Sequence, residues 1–286
     1  MKALVISNCA TAYYVQALQV LCPGWTVKGV QVHLAERWIS TDPNAAFIAY
    51  VDEVEVYFGL PIEGSLINSR LSKNVAKYYV PAFSFRGLHP DSFHLAEHRS
   101  VLEVGNIFSR IVCACYLQGR GVTETVATFR EEVFDRLGYF HAFEDEKQNL
   151  ISRFLACGMD LSESFEHWNS KGKFLYTYNH PKSLVLADII SARGSVICGK
   201  RAYAHYDELI AIHDYLGDSI IWPVYPDIAA RHGIKDSLVW RKGAQAGYEE
   251  IGLIDFVAQS FENLAQERKI TANSVSNLEF ILDAIG

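Results

Sequence analysis

One cysteine and two histidines are the residues of this sequence best suited to chemistry, because each lies where an apolar run breaks. Cys9 lies in the turn SNCAT, between a short apolar run and a longer one. His89 and His180 lie in the fragments LHPDSF and NHPKSL, which share the pattern His-Pro-x-Ser-apolar. A thiol and a neutral imidazole brought together make an activated nucleophile pair. The sequence therefore suggests a Cys–His site, which the fold has to assemble.

The thiol turn follows a predicted strand, Ala3 to Ser7, and precedes a predicted helix, Ala12 to Cys22. In an open α/β sheet, ligands bind at such strand-to-helix loops. The N–H groups and dipole at the helix start favour a thiolate, so we expect a lowered pKa for Cys9. Those N–H groups, with the Asn8 amide, can also stabilise an oxyanion. The alternative is that Cys9 is a small buried side chain and Asn8 an ordinary turn residue.

Both His-Pro steps predict the start of a helix. Proline favours the first helical position and keeps the residue before it extended, so His89 and His180 are predicted N-caps. The positive end of a helix disfavours imidazolium and leaves a neutral ring that can take a proton. Asp91 then either orients a histidine or complements the helix dipole. The alternative is that each His-Pro step only begins a helix.

The elements that must position these residues indicate an α/β fold. The chain opens strand–helix–strand, and further strands are predicted at Val54 to Phe58 and Tyr78 to Phe83, with a helical stretch around Ser65 to Lys77 between them. Three successive helices are predicted at Val101 to Leu117, Val122 to Leu137 and Phe140 to Leu155. We predict a single α/β domain over residues 1–286, with a helical insertion at about 98–170 and a mixed C-terminal region.

Composition excludes several classes of function. A balance of 26 basic against 33 acidic residues argues against a general nucleic-acid or polybasic membrane-binding protein. The six cysteines form no CxxC pair, which predicts reduced thiols and no zinc site. His94 and His98 have a spacing that suits a metal, but no carboxylate signature accompanies them. No apolar run reaches the length of a membrane span, and no signal-peptide pattern is evident. We expect a soluble, cytoplasmic protein.

Three segments follow one another along the chain in an order that is typical of one protein family: SNCATAYYVQALQVL at the start, PAFSFRGLHPDSF from Pro81 and LYTYNHPKSLVLADI from Leu175. Together they resemble the WcbI family of capsular-polysaccharide biosynthesis proteins, over roughly residues 1 to 200. That family is similar in having an NCQ turn, a G-x-HPD element and an NHP element. Ala10 departs from it, standing where the family usually has glutamine.

The resemblance implies binding of coenzyme A or acetyl-CoA and transfer of acetyl to a sugar hydroxyl of a capsular or other surface polysaccharide. Asn8 and Cys9 match the first motif, His89 and Asp91 the second, and His180 the third. The layout also resembles SGNH-type esterases at the level of fold, so we expect an open, mostly parallel sheet with an SGNH- or flavodoxin-like core. Association with other polysaccharide biosynthesis enzymes is a further expectation.

Two mechanisms follow from these residues. In one, Cys9 attacks the thioester, His180 shuttles the proton, and an acetyl-cysteine passes its acyl group to the sugar. In the other, His180 or His89 deprotonates the sugar hydroxyl directly, and Cys9 with Asn8 lines the acyl site. The phosphates of coenzyme A require basic groups, for which Arg86 and Lys182 are the candidates beside the His-Pro elements. Lys200-Arg201 is a second candidate pair.

Two other classes of function fit the same residues. One is an SGNH-like esterase or deacetylase, which would use the Cys–His machinery with water as the acceptor. The other is a non-catalytic carbohydrate-binding component of a polysaccharide assembly machine. For that class, aromatic side chains near the C-terminus would stack on sugars, although such residues more often fill cores: Trp222, Tyr225, Trp240 and Tyr248.

Overall fold

The computed structural model describes residues 1–95, 100–102, 106–199, 201–266 and 270–286, without the side chains of Arg201 and Ala272. It contains two compact units, each formed by three segments of the chain. Unit 1 comprises Met1–Phe83, Leu150–Trp168 and His180–Leu216, and unit 2 comprises Ser84–Asn149, Asn169–Asn179 and Gly217–Gly286. The insertion predicted at about 98–170 therefore has residues in both units. The single domain over 1–286 stays a prediction.

The strands and helices are numbered in chain order. The strands are β1 (Lys2–Ser7), β2 (Thr26–Gln31), β3 (Val56–Gly59), β4 (Ala76–Tyr79), β5 (Ser92–His94), β6 (Ile107–Ser109), β7 (Leu175–Thr177), β8 (His180–Pro181), β9 (Val239–Arg241) and β10 (Glu250–Gly252). The helices are α1 (Thr11–Leu21), α2 (Val32–Ser40), α3 (Ala45–Asp52), α4 (Leu66–Arg70), α5 (Arg110–Leu117), α6 (Val122–Val126), α7 (Glu131–Arg136), α8 (Ala142–Ala156), α9 (Ser162–Ser170), α10 (Ser183–Cys198), α11 (Arg201–Ala204), α12 (Tyr206–Ile210), α13 (Pro226–Arg231), α14 (Leu253–Gln266) and α15 (Leu278–Ile285).

Unit 1 contains a four-stranded parallel sheet with the strand order β2-β1-β3-β4. The central strand β1 is apolar from Ala3 to Ile6, and these residues are fully buried. A continuous apolar run of this kind is typical of a parallel strand covered on both faces. The sheet confirms the predicted α/β class with an open, parallel, flavodoxin-like strand order.

The order of the strands reverses at β1, because β2 pairs with one edge of β1 and β3 with the other. In doubly wound sheets, ligands bind outside the carboxyl ends of the strands at such a reversal. Gly59 ends β3 opposite Ile6, with a φ of +133°. A Cβ atom on Gly59 would lie 1.9 Å from the Ile6 carbonyl oxygen, so glycine is required for this close approach. The turn that contains Cys9 follows β1 at this end.

Several predicted elements differ from the structure. The helical stretch predicted around Ser65 to Lys77 is only the short helix α4, because Ser72 to Asn74 form a turn in which the Ser72 hydroxyl accepts from the Asn74 N–H. The helix predicted at Val101 to Leu117 divides into β6 and α5, since the Ser109 hydroxyl caps α5 at the Val112 N–H. Helices α2 and α3 were not predicted.

In unit 2, β5 pairs with β6 and β9 with β10, both antiparallel. Aromatic side chains fill its core: Trp240 and Phe256 stack with ring centroids 4.0 Å apart, and Trp222 meets both rings edge-on. Of the aromatic residues considered for sugar stacking, Trp222, Trp240 and Tyr225 are thus core residues, and Tyr248 alone is exposed. Within the residues that the structure describes, no helix is long and apolar enough to cross a membrane.

Candidate functional site

The Cys9 turn is held by local hydrogen bonds. The Asn8 side-chain oxygen accepts from the Ala10 N–H at 3.3 Å, and the Asn8 carbonyl accepts from the Thr11 hydroxyl at 2.7 Å. The amide NH₂ of Asn8 is thereby left to donate outward. Ala10 is the N-cap of α1, and no side chain caps this helix start. The Thr11 N–H at the start of the helix donates to the Asn8 carbonyl at 3.1 Å. The N–H groups that could serve an oxyanion are therefore those of the first turn after Thr11.

Cys9 is exposed, yet surrounding protein atoms desolvate its thiolate and raise the pKa of the thiol. The two observations are compatible, because a side chain can reach solvent on one side while protein lies on the others. The exposure decides whether a ligand can reach the thiol, and the surrounding protein atoms decide its pKa. The direction of the pKa shift corrects the expectation of a lowered value: desolvation outweighs the hydrogen bond from the backbone of Cys9 itself.

His180 lies on β8, two residues before the N-cap Lys182 of α10. The prediction that His180 itself caps a helix is wrong by those two residues, since Pro181 still belongs to the strand. Burial lowers the pKa of His180 to about 4, against an opposing effect of the Asp214 charge. The ring is therefore neutral, as predicted, but through burial more than through a helix end. Its buried Nδ1 has no hydrogen-bond partner among the described residues.

The starts of α1 and α10 lie at one end of unit 1. The two helices contact each other, and Leu21 near the end of α1 touches the position of Gly194 near the end of α10. At the other end, the Asp214 carboxylate accepts from the Ser183 N–H at 3.2 Å, and its charge also acts on Tyr13 in the first turn of α1. The turn with Asn8 and Cys9 and the segment from His180 to Lys182 therefore share this end. No hydrogen bond links Cys9 to His180 in the described part of unit 1.

Ser183 and Asp214 belong to this end of unit 1 and were missed in the sequence. The Ser183 hydroxyl oxygen is buried and, like His180 Nδ1, has no hydrogen-bond partner among the described residues. Buried polar atoms of this kind are normally satisfied, so two at the start of one helix indicate a place that a ligand completes. The serine of the repeated His-Pro-x-Ser pattern was the available signal for Ser183. Asp214 has no such motif, because it reaches the site through folding alone.

His89 lies in unit 2 and is almost fully buried. The prediction that it caps a helix is wrong, because a turn and the strand β5 follow it. Its Nε2 lies 3.1 Å from the Trp222 carbonyl oxygen and must donate, which leaves the buried Nδ1 as an acceptor without a partner in the described residues. Burial, aided by the charge of Lys173, holds its pKa well below the usual value. His89 is therefore a neutral imidazole, as predicted.

Asp91 is fully buried in unit 2 and is held by three donors. Its carboxylate accepts from the Tyr225 hydroxyl at 2.6 Å, the Tyr139 hydroxyl at 3.0 Å and the Ile111 N–H at 3.0 Å. Ile111 is in the first turn of α5, where a negative charge complements the helix dipole. Asp91 was expected either to orient a histidine or to complement a helix dipole. These contacts support the second role, and the helix is α5.

The candidate basic residues divide between the units. Lys182 is half-buried at the start of α10 in unit 1. Arg86 belongs to unit 2, where its guanidinium lies 4.5 Å from the centre of the Tyr178 ring and its buried Nε has no partner in the described residues. Arg86 and Arg110 line one cavity of about 320 Å³ together with Asp145 and Glu146. Of the second candidate pair, Lys200 and the side chain of Arg201 lie outside the described residues.

The cysteines form no disulfide bond, and all six lie in the described part of the chain. Within that part, no group of three His, Cys, Asp or Glu side chains is placed to hold a metal ion. The chemistry that unit 1 offers is thus that of an exposed thiol, a neutral buried imidazole, an outward amide and an uncapped helix start.

Comparison with known proteins gives two matches. A solved structure of WcbI, described as a novel polysaccharide biosynthesis enzyme, shares the fold, with a TM-score of 0.64 and 12% sequence identity over 99% of this chain and 97% of that chain. It is described as the native protein without a disulfide bond between coenzyme A and one of its cysteines. No sequence among the curated proteins matches. The family model of the polysaccharide biosynthesis enzyme WcbI matches residues 2–193, which is more than half of the chain. The chain therefore belongs to the WcbI family of polysaccharide biosynthesis enzymes.

Proposed function

We propose that this chain is an acetyl-CoA-dependent O-acetyltransferase that modifies a sugar hydroxyl of a capsular or other surface polysaccharide. The observation that carries the proposal is the end of unit 1 at which two buried polar atoms, His180 Nδ1 and Ser183 Oγ, have no partner among the described residues. The exposed thiol of Cys9 lies at that same end. A hydroxyl held against a neutral imidazole is what general-base catalysis of acyl transfer requires.

Coenzyme A as the carrier of the acetyl group is supported by the matched WcbI structure, whose description names coenzyme A together with a cysteine. We assign Cys9 as the thiol beside the coenzyme in this chain, because it is the exposed cysteine at the strand reversal. Lys182, in the same unit as Cys9, is our candidate for its phosphates, since an ammonium group binds phosphate. Arg86 shares a cavity of unit 2 with Arg110, and these two guanidinium groups are a separate candidate phosphate site.

Of the two mechanisms, direct transfer has more support from unit 1. The raised pKa of Cys9 keeps its thiol protonated near neutral pH, and no described hydrogen bond connects it to a base. His180 has a neutral ring with an available nitrogen. In direct transfer, His180 takes the proton of the sugar hydroxyl, the sugar oxygen forms a bond to the thioester carbonyl carbon, and the C–S bond breaks. The thiolate of coenzyme A leaves and takes the proton back from His180.

The remaining site residues have supporting roles in this proposal. The amide NH₂ of Asn8 and the N–H groups of the first turn of α1 after Thr11 stabilise the oxyanion, and Cys9 lines the acetyl site. His89 is the second base candidate, with Asp91 fixing the start of α5 nearby in sequence. A cytoplasmic location and association with other polysaccharide biosynthesis enzymes belong to the same proposal, because acetyl-CoA and the nascent acceptor would have to meet.

Acetyl transfer from acetyl-CoA to a polysaccharide extract, followed by mass spectrometry of the product, tests the proposal. Direct transfer predicts that Cys9→Ala keeps the rate within about tenfold of the wild type, whereas His180→Asn lowers it by about 10² to 10⁴. Cys157→Ala serves as the matched thiol control. An acetyl adduct on Cys9 in the intact protein, with loss of turnover in Cys9→Ala, would establish the covalent mechanism instead. Release of acetate without an acceptor would identify a hydrolase.

A further inference from the structure

A second cavity in unit 1 has a lining chemistry unlike that of the Cys9 end. It measures about 700 Å³, and its walls come from the segment before α9, from α9 itself and from α10, α11 and α12. Three carboxylates line it, those of Asp160, Glu163 and Asp188, and no lysine or arginine does among the side chains that the structure describes. Charges of one negative sign disfavour phosphate groups, so the described lining does not suit coenzyme A. This lining favours a neutral or positively charged ligand.

Asp188 lines this cavity, and two hydrogen bonds hold its carboxylate in one orientation. One of its carboxylate oxygens accepts from the Trp168 indole N–H at 2.6 Å, and the other accepts from the Tyr206 hydroxyl. Both donors fix the orientation of the carboxylate, and each oxygen keeps a further lone pair for a ligand hydroxyl. Fixed acceptors of this kind bind hydroxyl groups without a cost of reordering.

Ser191 provides an independent sign that a polar ligand belongs here. It lines the cavity from α10, is only 2% exposed, and its hydroxyl oxygen has no hydrogen-bond partner among the described residues. A buried hydroxyl without a partner costs stability unless a ligand completes it. Within the described residues, no group of three carboxylates, histidines or cysteines is placed to hold a metal ion.

Tyr203 adds the aromatic surface that carbohydrate sites use. Its side chain is 61% exposed and lines the same cavity from α11. An exposed aromatic ring offers an apolar face to one side of a sugar ring, while the carboxylates accept from the hydroxyls at its edge. We infer that this cavity is a binding subsite for an uncharged, hydroxyl-rich carbohydrate. Resting on the proposed function, this assigns it to the polysaccharide acceptor and separates it from the coenzyme site.

Saturation-transfer NMR with lactose, cellobiose and mannobiose tests this inference, with a glucuronate-containing disaccharide as the anionic comparison. We expect at least one neutral disaccharide to bind and the anionic one to bind at least about tenfold more weakly. Tyr203→Ala should weaken binding about fivefold to tenfold, and Ser191→Ala about threefold. Leu66→Ala, which removes an exposed apolar side chain of α4 in unit 1, should leave binding unchanged.

Absence of binding by all three neutral disaccharides would overturn the inference, as would an effect of Leu66→Ala as large as that of Tyr203→Ala. Parallel calorimetry with coenzyme A separates the two claims. A wild-type protein that binds coenzyme A but no disaccharide disproves the acceptor subsite alone. A protein that binds disaccharide through Tyr203 but no coenzyme A disproves the proposed reaction and leaves the carbohydrate site standing.

Discussion

Burial acts on Cys9 and His180 in opposite directions and leaves both side chains neutral. Desolvation disfavours a charged group, so it raises the pKa of the Cys9 thiol and lowers that of the His180 imidazole to about 4. A thiolate–imidazolium pair, which a cysteine nucleophile normally uses, is therefore disfavoured in this unit. Direct transfer also converts His180 to an imidazolium when it takes the proton of the sugar hydroxyl, but it needs no thiolate. At the scale of the residue, the raised pKa of Cys9 is what favours direct transfer.

The depressed pKa of His180 predicts a loss of stability in acid. Its folded pKa of about 4 lies below the ordinary value of 6.5, so the folded state binds fewer protons than the unfolded chain. The contribution is complete above about pH 6.5 and is lost as the pH falls towards 4. Its full size is about 3 kcal/mol, because the pKa values of His180 in the unfolded and folded states differ by about 2.5. Urea denaturation of the wild type and of His180→Gln between pH 7.5 and 4 measures it.

We expect the free energy of unfolding to fall less steeply with decreasing pH in His180→Gln than in the wild type. The exposed His33 gives a matched control, and His33→Gln should leave the slope unchanged. His89 is also buried and neutral, so part of the slope should remain in His180→Gln. Identical slopes for the wild type and His180→Gln would show that His180 is not desolvated in the folded protein.

The site residues that could be predicted from the sequence are those with a motif around them. Cys9 is recognisable because a polar turn interrupts two apolar runs, and His180 because proline follows it. The pKa of Cys9 could not be predicted, since the helix start and the surrounding protein act in opposite directions and only the packing decides between them. Asp214 could not be predicted at all, because it reaches the start of α10 from about thirty residues along the chain.

At the scale of the element, the strand reversal at β1 is what places the thiol turn at a ligand-binding edge. The apolar run Ala3 to Ile6 predicted β1 nearly residue by residue, because a strand buried on both faces leaves a clear signal. Pairing order leaves no such signal, so the reversal at β1 required the structure. The His-Pro steps predicted a helix after His180 but failed after His89, where Asp91 is drawn to the start of α5 instead.

Gly59 gives a test of the packing between β1 and β3. With a φ of +133° and the Ile6 carbonyl oxygen 1.9 Å from the place of a Cβ atom, Gly59→Ala requires the strands to move apart. We expect a loss of at least about 3 kcal/mol in the free energy of unfolding. Gly64→Ala is the matched control, because its φ of +77° is also positive but its surroundings are open. Its cost should be about 1 kcal/mol.

Urea denaturation of the two glycine variants distinguishes steric contact from backbone strain. Equal losses of stability in Gly59→Ala and Gly64→Ala would contradict the close approach of β3 to β1. A Gly59→Ala protein that retains its stability would likewise contradict the close approach of Gly59 to Ile6 at the end of β1.

At the scale of the whole molecule, the predicted residues divide between two compact units. Asn8, Cys9, His180 and Lys182 belong to unit 1, which also contains the acidic cavity, whereas Arg86, His89 and Asp91 belong to unit 2. Family membership covers residues 2–193 and thus parts of both units. The resemblance of three short motifs was enough to identify the family. It could not predict the division into units, because each unit is formed by segments distant in sequence.

Calorimetric titration with coenzyme A and acetyl-CoA tests the central claim most directly. We expect both to bind the wild type at one site, and Lys182→Ala to weaken binding about tenfold through the loss of a phosphate contact. The exposed Lys73 provides the control, and Lys73→Ala should bind as the wild type does. Absence of heat with both ligands at millimolar concentration would contradict an enzyme that uses coenzyme A at the Cys9 turn.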